Sequence, residues 1–242
     1  MKFNDCFKLP RLYVDQPLAD GSRLELTPGQ AHYLKSVLRL KPGNDVRVFN
    51  GRDGEWLCTL ESLEKKTGTL KINGQFKQQP HVQAPLNLLF APIKKKNMEF
   101  MIEKAVELGV TDLHPVFTAR TQNRNLNADR MQSHILEAAE QCERLSIPIL
   151  HKPATLDEKL KAWDQNFPIH WCAERLENIP PLASCNNVSA FLIGPEGGFD
   201  DQENTMLKQL SYIKPTHLGD QILRAETAAL YCLSAAKLKQ ET

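Results

Sequence analysis

The rhythm of apolar and polar positions changes part-way along the chain. In roughly the first 73 residues the apolar positions fall in short β-rich runs at Arg11–Val14, Arg23–Leu26, Asp45–Asn50, Glu55–Ser62 and Gly68–Asn73, separated by Gly, Pro, Asn and Asp. Between two of them, Phe49-Asn50-Gly51-Arg52-Asp53-Gly54-Glu55-Trp56 carries two Xaa-Gly turns, a hairpin signal. One helix, Gly29–Leu40, interrupts the strands and stops at Pro42-Gly43. So many short strands in so little chain predict a small barrel. Polar, proline-containing residues 75–85 then read as a linker between a first domain, 1–74, and a second, 86–242. Beyond the linker, strands alternate with helices. Strands are predicted at Leu86–Ala91, Asp112–Phe117, Pro168–Ala173, Val188–Ile193 and Pro215–Leu218, and helices at Asn97–Leu108, Ala128–Arg144, Asp201–Gln209 and Ala225–Lys239. Thr155 with Glu158 caps a further short helix. That alternation predicts an α/β domain, a mostly parallel sheet covered by helices on both faces. Periodicity alone gives a plain doubly wound sheet without a knot.

Composition narrows the class. A 41% hydrophobic, 24% charged chain has the make-up of a soluble globular protein. No apolar run approaches the roughly 18 residues of a membrane span, and Met1–Cys6 lacks a signal-peptide core, so a cytoplasmic location is expected. Cysteines at 6, 58, 142, 172, 185 and 232 form no CxxC pair and the seven histidines no HExxH, so reduced thiols and no metal are expected. The net charge of +1 hides an asymmetry, because residues 1–80 hold thirteen Lys/Arg against nine Asp/Glu. A basic small domain beside a mildly acidic larger one suits nucleic acid on the first. On the predicted helix, His32, Lys35 and Arg39 share one face, opposite Leu34, Val37 and Leu38. Such a face either binds phosphates or is simply solvated. Arg11, Arg52 and Lys94-Lys95-Lys96 are further candidate RNA contacts.

Two stretches carry the chemistry: Phe191-Leu192-Ile193-Gly194-Pro195-Glu196-Gly197-Gly198-Phe199, and His217-Leu218-Gly219-Asp220-Gln221-Ile222-Leu223-Arg224-Ala225-Glu226-Thr227-Ala228. Each is an apolar run that stops at glycine and leads into a helix start, and such junctions build pockets at the carboxyl ends of strands. Asp200 and Glu203 read as the capping pair of the next helix. No GxGxxG, GxxxxGK[ST] or GxSxG is present, which disfavours a Rossmann dehydrogenase, a P-loop ATPase and an α/β-hydrolase.

The GPEGGF segment followed by LGDQILRAETA resembles the paired signature of the SPOUT methyltransferases, and more narrowly the bacterial 16S ribosomal RNA (uracil-N3)-methyltransferase family. The likeness continues upstream through Glu103–Val110, Arg120 and Glu137–Arg144, and in the N-terminal part through His32–Arg39. It covers nearly the whole chain and is weakest from Pro153 to Asn187. The resemblance implies a trefoil-knotted, mostly parallel sheet preceded by a PUA-like β-barrel, with S-adenosylmethionine as cofactor. It further implies ribosomal RNA within the small subunit as substrate, and a homodimer. By resemblance three loops hold the cofactor: Cys172, Ala173 and Glu174; Ile193, Gly194, Pro195, Glu196, Gly197 and Gly198; and Leu218, Gly219, Ile222, Leu223 and Arg224. A side chain at Gly198 is expected to fill the cofactor slot. Methylation at N3 requires loss of a proton. Glu196 is the candidate base, with Arg224 or Arg120 stabilising charge on the uracil oxygens. The alternatives are a hydrogen bond between Glu196 and backbone in its own loop and a structural salt bridge from Arg224 to Glu226 or Glu174. Two rival functions stay open: a SPOUT ribose 2′-O methyltransferase, disfavoured because LRAETA replaces the SLNVS-like pattern of that branch, and a non-catalytic RNA-binding or assembly protein.

Overall fold

The computed structural model describes residues 6–80, 84–173, 176, 178–186 and 188–240. The chain divides into two compact units, Met1–Val82 with Ala139–Ile147, and Gln83–Ala138 with Pro148–Thr242.

In the first unit, strands β1 (Arg11–Tyr13), β2 (Arg23–Glu25), β3 (Asp45–Phe49), β4 (Glu55–Leu63) and β5 (Gly68–Lys77) form a five-stranded sheet in the order β1-β3-β4-β5-β2. Only β1–β3 is parallel. Alternate residues of every strand point to one core of Leu12, Leu24, Val46, Val48, Cys58, Leu60, Leu70 and Ile72. Ala31 and Leu34 join it from the helical segment. Both sheet edges are occupied by glutamine side chains: Gln30 donates to the Tyr13 carbonyl, and Gln16 bonds the carbonyl and N–H of Glu25. The hairpin turn needs Gly54, where φ is +82° and a Cβ would lie 2.3 Å from the Lys77 carbonyl oxygen.

Three expectations are corrected here. Strand β5 runs on to Lys77, into the stretch read as linker, because it pairs with β4 as far as Glu55. The predicted helix is an α-turn, α1 (Pro28–His32), opened by a Thr27–Gln30 capping box and continued as a π-helix over Tyr33–Val37. Arg39 lies beyond its end at φ +57°, off the basic face assigned to it. Finally, residues 139–147 belong to the first unit, although the pattern assigns them to the second domain. The cause is buried charge. Arg11 donates to Glu55 at 2.7 Å and to the carbonyls of Ala139 (2.6 Å) and Arg144 (2.7 Å), with its guanidinium 3.5 Å above the Phe49 ring. Arg47 reaches Glu143 at 2.8 Å.

The second unit is built on a parallel sheet of β6 (Asn87–Phe90), β7 (Asp112–Phe117), β8 (Ile149–Leu150), β9 (Ala154–Thr155), β10 (Ile169–Cys172), β11 (Ala190–Ile193) and β12 (Ile213–Thr216). The order is β12-β10-β11-β6-β7-β8, with β9 pairing β7. Helices α2 (Lys95–Glu107), α3 (Ala128–Gln141), α4 (Leu156–Lys161), α5 (Asp201–Gln209) and α6 (Ala225–Gln240) follow the strands. Neighbouring residues point to opposite faces and both are buried, as with Leu88 and Leu89 or Phe191 and Leu192, so helices cover both sides. Strand β12 starts two residues before the predicted position. Ile213 is buried against Ile169, and Pro215 is tolerated because β12 is the sheet edge. No helix among the described residues is long and apolar enough to cross a membrane.

Candidate cofactor and RNA site

Strands β6 and β11 lie side by side, but the chain leaves them in opposite directions, from β6 through α2 to β7 and from β11 through α5 to β12. Their carboxyl ends therefore open a crevice. A cleft of about 950 Å³ occupies it. Trp171, Cys172, Ile193 and Leu223 supply apolar wall, and Lys94, Asn97, Arg120, Glu196, Arg224 and Glu226 supply polar groups.

The first predicted loop contributes Cys172. Ala173 does not line the cleft; it is buried in the apolar cluster with Trp171 and Leu192. Glu174 lies outside the described residues. The whole second loop, Ile193 to Gly198, lines the cleft, as do Ile222, Leu223 and Arg224 of the third. Leu218 and Gly219 do not, because β12 ends at Thr216 and Gly219 (φ +113°) turns the chain at the surface before it re-enters at Ile222.

The glycines of the second loop are required for different reasons. At Gly194 a Cβ would stand 2.8 Å from the Phe199 ring, which itself packs edge-on against Trp171 with centroids 6.0 Å apart. At Gly198, which lines the cleft, a Cβ would meet no protein atom within 4 Å. Its φ of +67° is what requires glycine.

Two side chains fix this loop. Arg120 Nη1 donates to the Gly197 carbonyl at 2.7 Å. Glu203 accepts from the N–H groups of Asp200 (3.0 Å) and Ala119 (2.8 Å), while Asp200 caps α5 through the Glu203 N–H. Glu196 is exposed and accepts from the Lys94 N–H at 3.4 Å, a backbone group outside its own loop. Arg224 is exposed and makes no ion pair among the described residues. Glu226 instead accepts from Asn97 Nδ2 at 3.0 Å through Oε1, and its Oε2 is buried without a partner. The indole N–H of Trp171 is likewise buried and unpartnered.

Sequence reasoning assigned no ligand role to Asn97, Trp171 or Glu226. Their only signal was position, at a strand end or in the first turn of the helix that follows one. Lys94, expected on RNA, lines the cleft as well. Behind the wall, Cys172 Sγ lies 3.2 Å from Cys232 Sγ, and burial pushes the Cys232 thiol well above its ordinary range.

Of the remaining RNA candidates, Arg11 is buried and its donors are consumed inside the first unit, so it cannot meet RNA. His32, Lys35, Arg39 and Arg52 are exposed, with Lys35 bonded to the Leu63 carbonyl and Arg52 to that of Asp15. Lys95 and Lys96 are exposed at the start of α2. Ligand atoms of Asp112, His114 and His151 lie within 4.8 Å of one another. However, His114 Nδ1 accepts from the Lys159 ammonium (3.3 Å) and Nε2 bonds Asn87 Oδ1 (3.0 Å), which leaves the ring no lone pair for a cation. Burial lowers the His114 pKa to about 3, with His151 and Lys159 adding to the effect.

The chain matches the RNA methyltransferase domain family over residues 80–237 and the RNA methyltransferase PUA domain family over 26–73. The fold and cleft thus define an RNA methyltransferase carrying a PUA domain. Ribosomal RNA small subunit methyltransferase E of Rickettsia conorii is 34% identical across 98% of this chain and 96% of its own length. The enzyme of that name from Synechocystis is 33% identical across 93% of this chain and 76% of its own. Among solved structures, ribosomal RNA small subunit methyltransferase E from Neisseria gonorrhoeae, bound to S-adenosyl methionine, superposes with a TM-score of 0.84 at 25% identity, covering 95% of this chain and 97% of that one. A putative methyltransferase from Legionella pneumophila, in complex with the same cofactor, gives 0.82 at 28% identity, with coverages of 95% and 97%. The chain belongs to the ribosomal RNA small subunit methyltransferase E family.

Proposed function

We propose that this protein transfers the methyl group of S-adenosylmethionine to N3 of a uridine in 16S ribosomal RNA of the small subunit. It acts in the cytosol as a homodimer, with the PUA-like unit gripping RNA. One observation carries the reading: residues 193–198 of the first glycine-broken loop and 222–224 of the second line a single cleft at the carboxyl ends of the parallel strands. The residues present suit the cofactor. Trp171, Ile193 and Leu223 offer an apolar slot for an adenine, the backbone of 194–198 is free of side-chain bulk at three glycines, and two buried polar atoms await partners.

When bound, the cofactor supplies an electrophilic methyl on a sulfonium. The chain's own residues orient the two reactants and handle the N3 proton. Orientation is worth about 7–11 kcal/mol, against about 10²–10⁴-fold for a general base, so cleft geometry outweighs any single acid–base group. Glu196, exposed at the cleft, takes the N3 proton onto its carboxylate. Arg224, free of ion pairs among the described residues, stabilises the charge that spreads to the uracil oxygens. Arg120 holds the Gly197 carbonyl and keeps other donors for the same task.

The test is incubation with tritiated S-adenosylmethionine and small subunits from cells lacking the enzyme, followed by mass spectrometry of the labelled nucleoside. Label in 3-methyluridine is expected. Label on a ribose moves the protein to the 2′-O branch. Absence of both label and cofactor binding overturns the enzymatic reading.

A further inference from the structure

Glu226 stands apart from the other carboxylates of the cleft. Glu196 and Asp201 are exposed and solvated. Glu226 lines the cleft with one oxygen, Oε1, held by Asn97 Nδ2 at 3.0 Å, while the other, Oε2, is buried and without a partner. The cations lining the same cleft, Lys94, Arg120, Lys208 and Arg224, make no ion pair with it among the described residues. A desolvated carboxylate oxygen with no donor is unfavourable unless a ligand supplies one. Its place in the first turn of α6 makes the negative charge tolerable in the empty fold. Asn97 fixes the rotamer, so the free oxygen is presented in one direction.

We propose that Glu226 is the anionic subsite of the cleft and receives the positively charged methionyl end of S-adenosylmethionine. This rests on the cofactor reading above. The cofactor's methionyl end carries two positive centres, a sulfonium and an ammonium, and either meets a carboxylate oxygen that lacks a partner. Asn97 is then a positioning residue, acting on the cofactor only through Glu226.

Calorimetry with S-adenosylmethionine and S-adenosylhomocysteine, on wild type and Glu226→Gln, tests this. The amide oxygen of Gln still accepts from Asn97, and a buried charge is removed, so the melting temperature is expected to hold or rise. Affinity for S-adenosylmethionine is expected to fall about tenfold or more, about 1.4 kcal/mol. If affinity for S-adenosylhomocysteine falls much less, the carboxylate faces the sulfonium; if equally, it faces the ammonium. Either pattern supports the subsite. S-adenosylmethionine affinity within about twofold of wild type, in a folded Glu226→Gln protein, overturns it. Should that variant not fold, Glu226→Asp keeps the charge but withdraws it by one methylene. A weakening of about threefold or more is then expected, and none overturns the proposal. Wild type that binds neither ligand sinks the cofactor reading itself, a different failure.

Discussion

Arg120 and Gly197 are 77 residues apart in sequence and joined by a 2.7 Å bond from guanidinium to carbonyl. The arginine thereby sets the shape of the loop that carries Glu196. Arg120→Ala is expected to weaken cofactor binding about tenfold and to lower kcat further, since a charge-stabilising donor leaves with it. Arg120→Lys restores a charge but not the planar fork, so it rescues only part of the loss. Binding by calorimetry, beside kcat at saturating cofactor, separates the two effects.

Gly194 and Gly198 call for different explanations, and paired substitutions distinguish them. Gly194→Ala meets the Phe199 ring at 2.8 Å, so trimming that ring in a Gly194→Ala/Phe199→Leu double variant is expected to recover part of the lost stability. Gly198→Ala meets open space but strains a φ of +67°, costing about 1–2 kcal/mol that no neighbouring substitution relieves. Thermal melts of the single and double variants check both.

The Arg11–Glu55 pair is buried on both sides. Arg11→Ala is expected to destabilise the first unit by about 3–5 kcal/mol, because Glu55 is left buried beside fewer cations. Urea melts followed by Trp56 fluorescence would read this directly.

His114 makes stability acid-sensitive. The folded pKa of about 3 lies below the ordinary histidine value of 6.5, so the unfolded chain takes up the proton first. The contribution is complete above about pH 6.5 and is lost as pH falls towards 3. His114→Gln is expected to melt lower at pH 7.5 yet to show a shallower decline between pH 6 and 4; equal slopes would contradict the assignment.

Lys95 and Lys96 are exposed where α2 begins. Reversing both to Glu is expected to weaken RNA binding and flatten its salt dependence. Filter binding at several salt concentrations gives the slope, and unchanged slopes would remove these lysines from the RNA path.

Legibility in the sequence followed the length scale of the interaction. Strand β7 and helix α5 lie where periodicity put them, since each is set by its own apolar rhythm and, for α5, by the Asp200–Glu203 cap. The two-residue strands β8 and β9 were missed because a pair of residues has no period to read. Arg11 was misjudged for a related reason. In a β-rich stretch an arginine reads as exposed, and only the fold brings Glu55 and the carbonyls of Ala139 and Arg144 around it. In the cleft, the glycine loops were visible as breaks in apolar runs. The Asn97–Glu226 bond, 129 residues long in sequence, left no local trace.

The placement of residues 139–147 in the first unit also sets a schedule for biosynthesis. When the first eighty-odd residues leave the ribosome, Arg11 lacks its carbonyl acceptors at Ala139, Glu140 and Arg144, and Arg47 lacks Glu143. The N-terminal unit therefore cannot complete itself as it emerges. It must wait for the opening strands and helices of the second unit to be made, so a nascent chain halted before residue 139 carries a half-satisfied charge cluster rather than a finished domain.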